Sequence, residues 1–156
     1  MSIRDTTVAI IGQGYVGLPL AMAAVDSGWI VIGIENSQVK FAEISAGVSP
    51  VEDVASSKVA TALASGAYRI SNSASAVSQA SIIVICVPTP LDEERAPDLG
   101  ILKRAIESVA PHLSNDSLVI NESTSYPGTV RDFIAPLIAQ LKARPDISID
   151  LAVAPG

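Results

Sequence analysis

The 156-residue sequence predicts an α/β fold, a doubly wound parallel sheet (a Rossmann fold) of about six strands in the order 3-2-1-4-5-6. Three observations lead there. Apolar strand-like runs alternate with helix-like runs along the whole chain, the pattern of βαβ units with helices on both faces of a sheet. The first strand runs straight into Gly12-x-Gly14-x-x-Gly17 and then into a helix. The run Ile82–Val87 is apolar without alternation, as expected of a parallel strand covered on both sides.

The elements follow in order. A strand over Thr7–Ile11 meets the glycine bend, and a helix over Tyr15–Ser27 carries the apolar run Val16–Val25. Pro19 conflicts with that helix, because its ring and missing N–H oppose the Tyr15 carbonyl; a distorted first turn is predicted. A second strand, Ile30–Ile34, ends in Glu35. Helices over Ser37–Ala46 and Val54–Ser65 lead to a strand at Tyr68–Ser71. The Ser/Ala-rich stretch Ser71–Ser81 is too short for a linker and reads as a surface loop or a short helix at Ser75–Gln79. The second half then gives strands at Ile82–Val87, Leu118–Asn121 and Ile149–Val153, with helices at Leu99–Leu113 and Thr129–Ala143.

The glycine bend is the main carrier of function. Three glycines at this spacing arise by chance, but a strand before, a helix after and an acid at the end of the next strand give them meaning. Gly12 permits the tight turn, Gly14 lets the backbone approach a pyrophosphate, and Gly17 lets the helix press close to the sheet. The helix N-terminus offers N–H groups and partial positive charge to phosphates. Glu35 stands 18 residues after Gly17. A carboxylate there accepts both adenosine ribose hydroxyls and repels a 2′-phosphate, so NAD is expected over NADP. No arginine follows Glu35 closely, and Lys40, the one near cation along the chain, reads as a solvated residue of the next helix.

Composition sets limits. Apolar residues make up 49% of the chain and aromatics only 4%, so aliphatic packing must build the core. A net charge of −6 and a pI near 4.6 argue against non-specific nucleic-acid binding. One cysteine, Cys86, excludes an internal disulfide and fits a reducing compartment. No stretch approaches the ~20 apolar residues of a membrane span, and the polar start lacks a secretory signal, so a cytoplasmic location is expected. Cys86 reads as a small buried hydrophobe and His112 as a residue favourable at a helix C-terminus. With one Cys and one His, no metal site of the usual Cys/His type can form.

In the second half, Pro88-Thr89-Pro90 stiffens the loop after the fourth strand, at the switch point where ligands sit. Val87, Pro88 and Thr89 are expected against the cofactor's ribose. After the fifth strand comes Asn121-Glu122-Ser123-Thr124-Ser125-Tyr126-Pro127-Gly128, a loop in which Ser125 or Gly128 suits a helix cap. It is expected near the nicotinamide, with Thr124 placed to hold a water or a substrate hydroxyl.

With these residues in hand, the chain resembles the UDP-glucose/GDP-mannose dehydrogenase family, specifically its N-terminal NAD-binding domain. The resemblance rests on Gly12-Gln13-Gly14-Tyr15-Val16-Gly17-Leu18-Pro19-Leu20-Ala21, Cys86-Val87-Pro88-Thr89-Pro90-Leu91, Pro97-Asp98-Leu99 and Glu122-Ser123-Thr124-Ser125-Tyr126-Pro127-Gly128-Thr129. It looks most like the branch acting on UDP-N-acetylglucosamine or UDP-N-acetylmannosamine. The resemblance implies oxidation of a sugar CH2OH to a carboxylate at C6 with two NAD. It places Gly12, Gly14, Tyr15, Val16 and Gly17 at the pyrophosphate and Glu35, where the family more often has Asp, at the adenosine ribose. Thr89 then lines the cofactor, and Thr124 lies at the reacting centre.

The resemblance also implies one NAD-binding domain over residues 1–156, with the family's UDP-sugar-binding domains, its catalytic Cys and its Lys outside this chain. Where the family has a glutamate after the proline ending the sixth strand, this sequence has Gly156, so truncation or departure is expected there. Family members homo-oligomerise through helices this chain lacks. Two other readings stay open: a stand-alone nucleotide-binding or interaction module, and a different NAD-dependent dehydrogenase of the hydroxyacid type.

Overall fold

The computed structural model of the protein describes residues 6–96, 98–123 and 128–154. Strands β1 (Thr7–Ile11), β2 (Ile30–Ile34), β3 (Tyr68–Ser71), β4 (Ile82–Ile85), β5 (Ser117–Asn121) and β6 (Ile149–Val153) form one sheet. Its order is β3-β2-β1-β4-β5-β6 and every pairing is parallel, as the alternating pattern predicts. Ile11 pairs with Ile34 on one side and with Ile85 on the other, so the three central strands end level. That rim is where the strand order reverses, between β1 and β4.

Side chains of β1 divide between two cores because successive residues of a strand point to opposite faces. Ala9 and Ile11 pack with α4 (Gly100–Val109) and α5 (Ala135–Leu141). Val8 and Ile10 pack with α1 (Gly17–Asp26), α2 (Gln38–Ser45) and α3 (Ser56–Ser65). α4 meets the sheet through a stripe at helical spacing, Leu102, Ile106 and Val109. Both cores are aliphatic almost throughout, as the low aromatic content requires, and Tyr68 is the one aromatic ring fully buried among the described residues.

Several boundaries differ from the sequence reading, each for a local reason. α1 begins at Gly17 rather than Tyr15, which puts Pro19 in its first turn. Leu18 and Leu20 on either side donate to the carbonyls of Gly14 and Val16, so the ladder skips only the bond Pro19 would make to the Tyr15 carbonyl. Tyr15 and Val16, where the helix was expected to begin, form a turn outside α1. β4 stops at Ile85, two residues short of the predicted end. The predicted helix over Leu99–Leu113 is α4 followed by a 3-10 turn, Ala110–His112, that tightens around Pro111. The helix after β5 opens with a wide π-type turn, Val130–Ile134, before α5. Pro136 accounts for it, since its ring and lost N–H disturb the ladder one turn back. The Ser/Ala-rich stretch folds as a short 3-10 helix, Ala74–Gln79, largely at the surface as expected, with Val77 and nearby Ala80 turned fully into the core.

Candidate functional site

The level rim opens into a cleft of about 840 Å³, within the usual size of small-molecule sites. Gly12, Gly14, Tyr15, Val16 and Glu35 line it from the first half, and Val87, Pro88 and Thr89 from the second. Residues 52 to 77 apart in sequence therefore meet across the switch point. Gly17 lies beneath the bend instead of on the wall, and Thr124 lies outside the described residues.

The bend is built by backbone contacts that exclude side chains. Gly12 has a φ of +92° and donates its N–H to the Ile34 carbonyl at 2.8 Å. A Cβ on Gly12 would sit 2.5 Å from the Cys86 carbonyl oxygen, and one on Gly17 would overlap the Gly12 carbonyl. Gly14 is different. A Cβ there meets only the Lys40 ammonium, at 3.8 Å, so its bare face opens towards the cleft. Just beyond it α1 starts with no side-chain cap and no acid in its first turn, leaving the positive field of its N-terminus unopposed.

Glu35 is buried, 6% exposed, and still lines the cleft. Its carboxylate is fixed by two backbone donors: Gln13 N–H to Oε1 and Ser37 N–H to Oε2, each at 2.9 Å. Two oxygens offer about four lone-pair sites, so half the accepting capacity is left for ligand hydroxyls. Ser37 also caps α2, its hydroxyl accepting the Lys40 N–H at 3.4 Å. That cap turns Lys40, in the first turn of α2, back towards the bend.

The far wall is held by a side chain that the sequence reading did not single out. Ser123 Oγ accepts the Val87 N–H at 3.0 Å and donates to the Ile85 carbonyl at 3.3 Å. This explains the early end of β4: beyond Ile85, a hydroxyl from the β5 side replaces the ladder. Cys86 is buried as expected, and burial, with the Glu122 charge adding, pushes its thiol up to about 12. Such a thiol stays protonated, and so poorly nucleophilic, at neutral pH.

Two cations correct the sequence picture. Lys40 is half-buried and lines the cleft instead of standing in solvent, and Arg104 of α4 lines the same cleft. Ser37 as a helix cap carried the signal for Lys40, since a residue three places on shares the cap's side of the helix. Arg104 gave none, because only the sheet order brings α4 beside β2's end. Among the described residues no cluster of three His, Cys, Asp or Glu can hold a metal ion, and no helix is long and apolar enough to cross a membrane.

The comparisons agree with this geometry. The chain is 36% identical over 138 residues to a UDP-N-acetyl-D-glucosamine 6-dehydrogenase of Pseudomonas aeruginosa, covering 87% of this chain and 31% of that protein. Its fold matches a UDP-D-ManNAc dehydrogenase from Pyrococcus horikoshii with a TM-score of 0.86 at 32% identity, over 96% of this chain and 36% of that one. A GDP-mannose dehydrogenase from Pseudomonas aeruginosa, solved as a ternary complex, matches with a TM-score of 0.86 at 26% identity, over 94% and 35%. The chain thus spans about a third of the length of the relatives it matches. The model of the NAD-binding domain of one family covers residues 6–156. With a glycine bend, a buried acid at the cleft wall and a switch-point cleft already in place, that match makes the chain the NAD-binding domain of a member of the UDP-glucose/GDP-mannose dehydrogenase family.

Proposed function

We propose that this chain holds NAD for the oxidation of a nucleotide sugar, a UDP-N-acetylhexosamine or UDP-hexose, whose C6 alcohol becomes a carboxylate. The observation that carries the reading is Glu35, a buried carboxylate fixed by two backbone N–H groups at the edge of the cleft beside Gly14. Gly14 supplies the bare backbone a pyrophosphate needs, and the α1 N-terminus and the Lys40 ammonium supply positive charge beside it. Tyr15 and Val16, exposed at the lip, close over the phosphates. Glu35 accepts the adenosine ribose hydroxyls, while Val87, Pro88 and Thr89 line the cofactor from the second half. Bound NAD accepts the hydride. Thr124 is assigned to the reacting centre, holding a water or the sugar hydroxyl by hydrogen bonding.

Reaching the acid without releasing an aldehyde takes a thiol nucleophile. Cys86, buried and held protonated, does not serve, so the activity is that of a protein of the relatives' size and the 156 residues bind NAD without turning over a UDP-sugar. The single buried thiol accords with a reducing compartment, and we assign the cytoplasm.

Calorimetry of the chain with NAD and NADP tests the reading. NAD should bind more tightly than NADP, and Glu35→Ala should cost about 1.5–3 kcal/mol of NAD affinity, the worth of hydrogen bonds to a charged group. Equal affinity of the wild-type chain for the two cofactors refutes it.

A further inference from the structure

Beneath the bend lies a polar cluster that does not face the cleft. Gln13, between the first two glycines, is fully buried and turns its side chain into the core below. Its amide nitrogen donates to the carbonyls of Ile10 at 3.0 Å and Gly12 at 3.1 Å. Its amide oxygen accepts from the hydroxyl of Tyr68, on the edge strand β3, at 2.7 Å. Tyr68 is 1% exposed, and neither residue lines the cleft.

The chemistry fixes the orientation of this amide. Turned over, it would set its oxygen against two carbonyl oxygens, so the nitrogen must face them and the tyrosine must be the donor to the oxygen. Both N–H groups and the oxygen of Gln13 are then satisfied, and the cluster is closed. Gly33 of β2 makes the reach from β3 possible. A Cβ there would lie 2.6 Å from the Tyr68 hydroxyl and 2.7 Å from the Gln13 amide oxygen. Meanwhile the backbone N–H of the same Gln13 donates to Glu35 Oε1 at 2.9 Å. One residue thus joins an edge-strand tyrosine below the bend to the acid above it.

We infer that Tyr68 is a positioning residue for the cofactor's adenosine ribose: its hydroxyl fixes the Gln13 amide, and the Gln13 backbone N–H fixes the Glu35 carboxylate. This rests on the reading that Glu35 binds that ribose. Tyr68 touches no ligand and sits two strands away from the centre of the glycine bend. Removing its hydroxyl leaves a buried amide oxygen without a donor, which the bend relieves by shifting, and Glu35 shifts with it.

The test is calorimetry of the chain with NAD and NADP, using wild type, Tyr68→Phe, Glu35→Ala and the double variant, with melting curves to confirm folding. Tyr68→Phe should weaken NAD about fivefold while leaving NADP within about twofold, because only NAD offers Glu35 both ribose hydroxyls and NADP sets a phosphate against it. In the Glu35→Ala background, Tyr68→Phe should bring no further loss. A wild-type NAD preference retained in Tyr68→Phe overturns the inference. So does a loss shared equally by both cofactors, or one that persists without Glu35, since either marks general loosening. Should Tyr68→Phe not fold, Gln13→Met/Tyr68→Phe, in which both polar partners go, takes its place, and an undiminished NAD preference there overturns the inference. A wild-type chain without any preference for NAD instead sinks the reading of Glu35 itself.

Discussion

Among the three glycines of the opening bend, each excludes a side chain for a different reason, and the difference can be measured. Gly12 combines a φ of +92° with a backbone neighbour at 2.5 Å from any Cβ, and Gly17 has no room at all against Gly12. Gly14 has room, and its φ is not positive. Gly14→Ala should therefore melt within a few degrees of wild type, yet lose NAD affinity at least tenfold, about 1.4 kcal/mol, through the methyl's intrusion on the pyrophosphate. Gly12→Ala or Gly17→Ala should instead lower stability by more than about 1 kcal/mol before cofactor binding is considered. Thermal melting beside NAD titration separates the two effects; a Gly14→Ala chain that binds NAD normally contradicts the placement of the phosphates. At this scale the sequence was legible for the backbone demands at Gly12 and Gly17 and for the places of Gly14 and Glu35 on the cleft wall. Gln13 was opaque. A polar residue between glycines on a loop reads as exposed, and only a tyrosine 55 residues later explains why it is buried.

At the scale of elements, the site depends on how strand ends are tied. β4 gives up its ladder after Ile85, and Ser123 takes over by accepting the Val87 N–H. The Ser123 N–H is itself held by the Asn121 side chain at 3.1 Å, so the β5 exit is rigid where it grips the β4 exit. Ser123→Ala leaves the Val87 N–H without its acceptor and takes a donor from the Ile85 carbonyl. The expected cost is about 1–3 kcal/mol, read as a lower urea midpoint, together with weaker NAD binding because Val87–Thr89 loses its anchor. An unchanged midpoint contradicts the role given to this hydroxyl. Sequence patterns located the strands and helices of the described residues and set the ends of β1, β2, β3 and β6, but misjudged those of β4, β5 and the helices. Pro19, Pro111 and Pro136 had different effects according to their place in a turn: skipping a single bond in the first, tightening at an end, widening where the ladder was already running.

For the whole molecule, two buried acids set the response to alkali. Burial, with the Glu122 charge adding, pushes the Cys86 thiol up to about 12, and burial first, then the Glu35 charge, raises the Tyr68 phenol above its ordinary range. Both hold their protons more tightly in the folded chain than in the unfolded one. As pH rises past the unfolded values the unfolded state loses protons first, so stability is full below about pH 9 and declines as pH climbs towards 12. Urea midpoints measured from neutral pH upward should be flat and then fall above about pH 9, and Cys86→Ala should flatten part of that fall. Midpoints that stay level to about pH 11 would contradict the burial of these groups.

The sequence alone determined the fold class, the strand order and the glycine bend at the switch point, because periodicity, glycine spacing and a terminal acid are local signals and parallel βαβ units leave few ways to connect. Only the tertiary structure decided how that acid is held, which cations share its cleft, and why Gln13 and Ser123 matter. Those depend on neighbours brought together by sheet order: Tyr68 reaching across Gly33, Lys40 folding back from a helix cap, Arg104 arriving from the other half, and a hydroxyl of one strand end completing the next. Contacts of that range leave no period in the chain, and so they have to be seen in three dimensions.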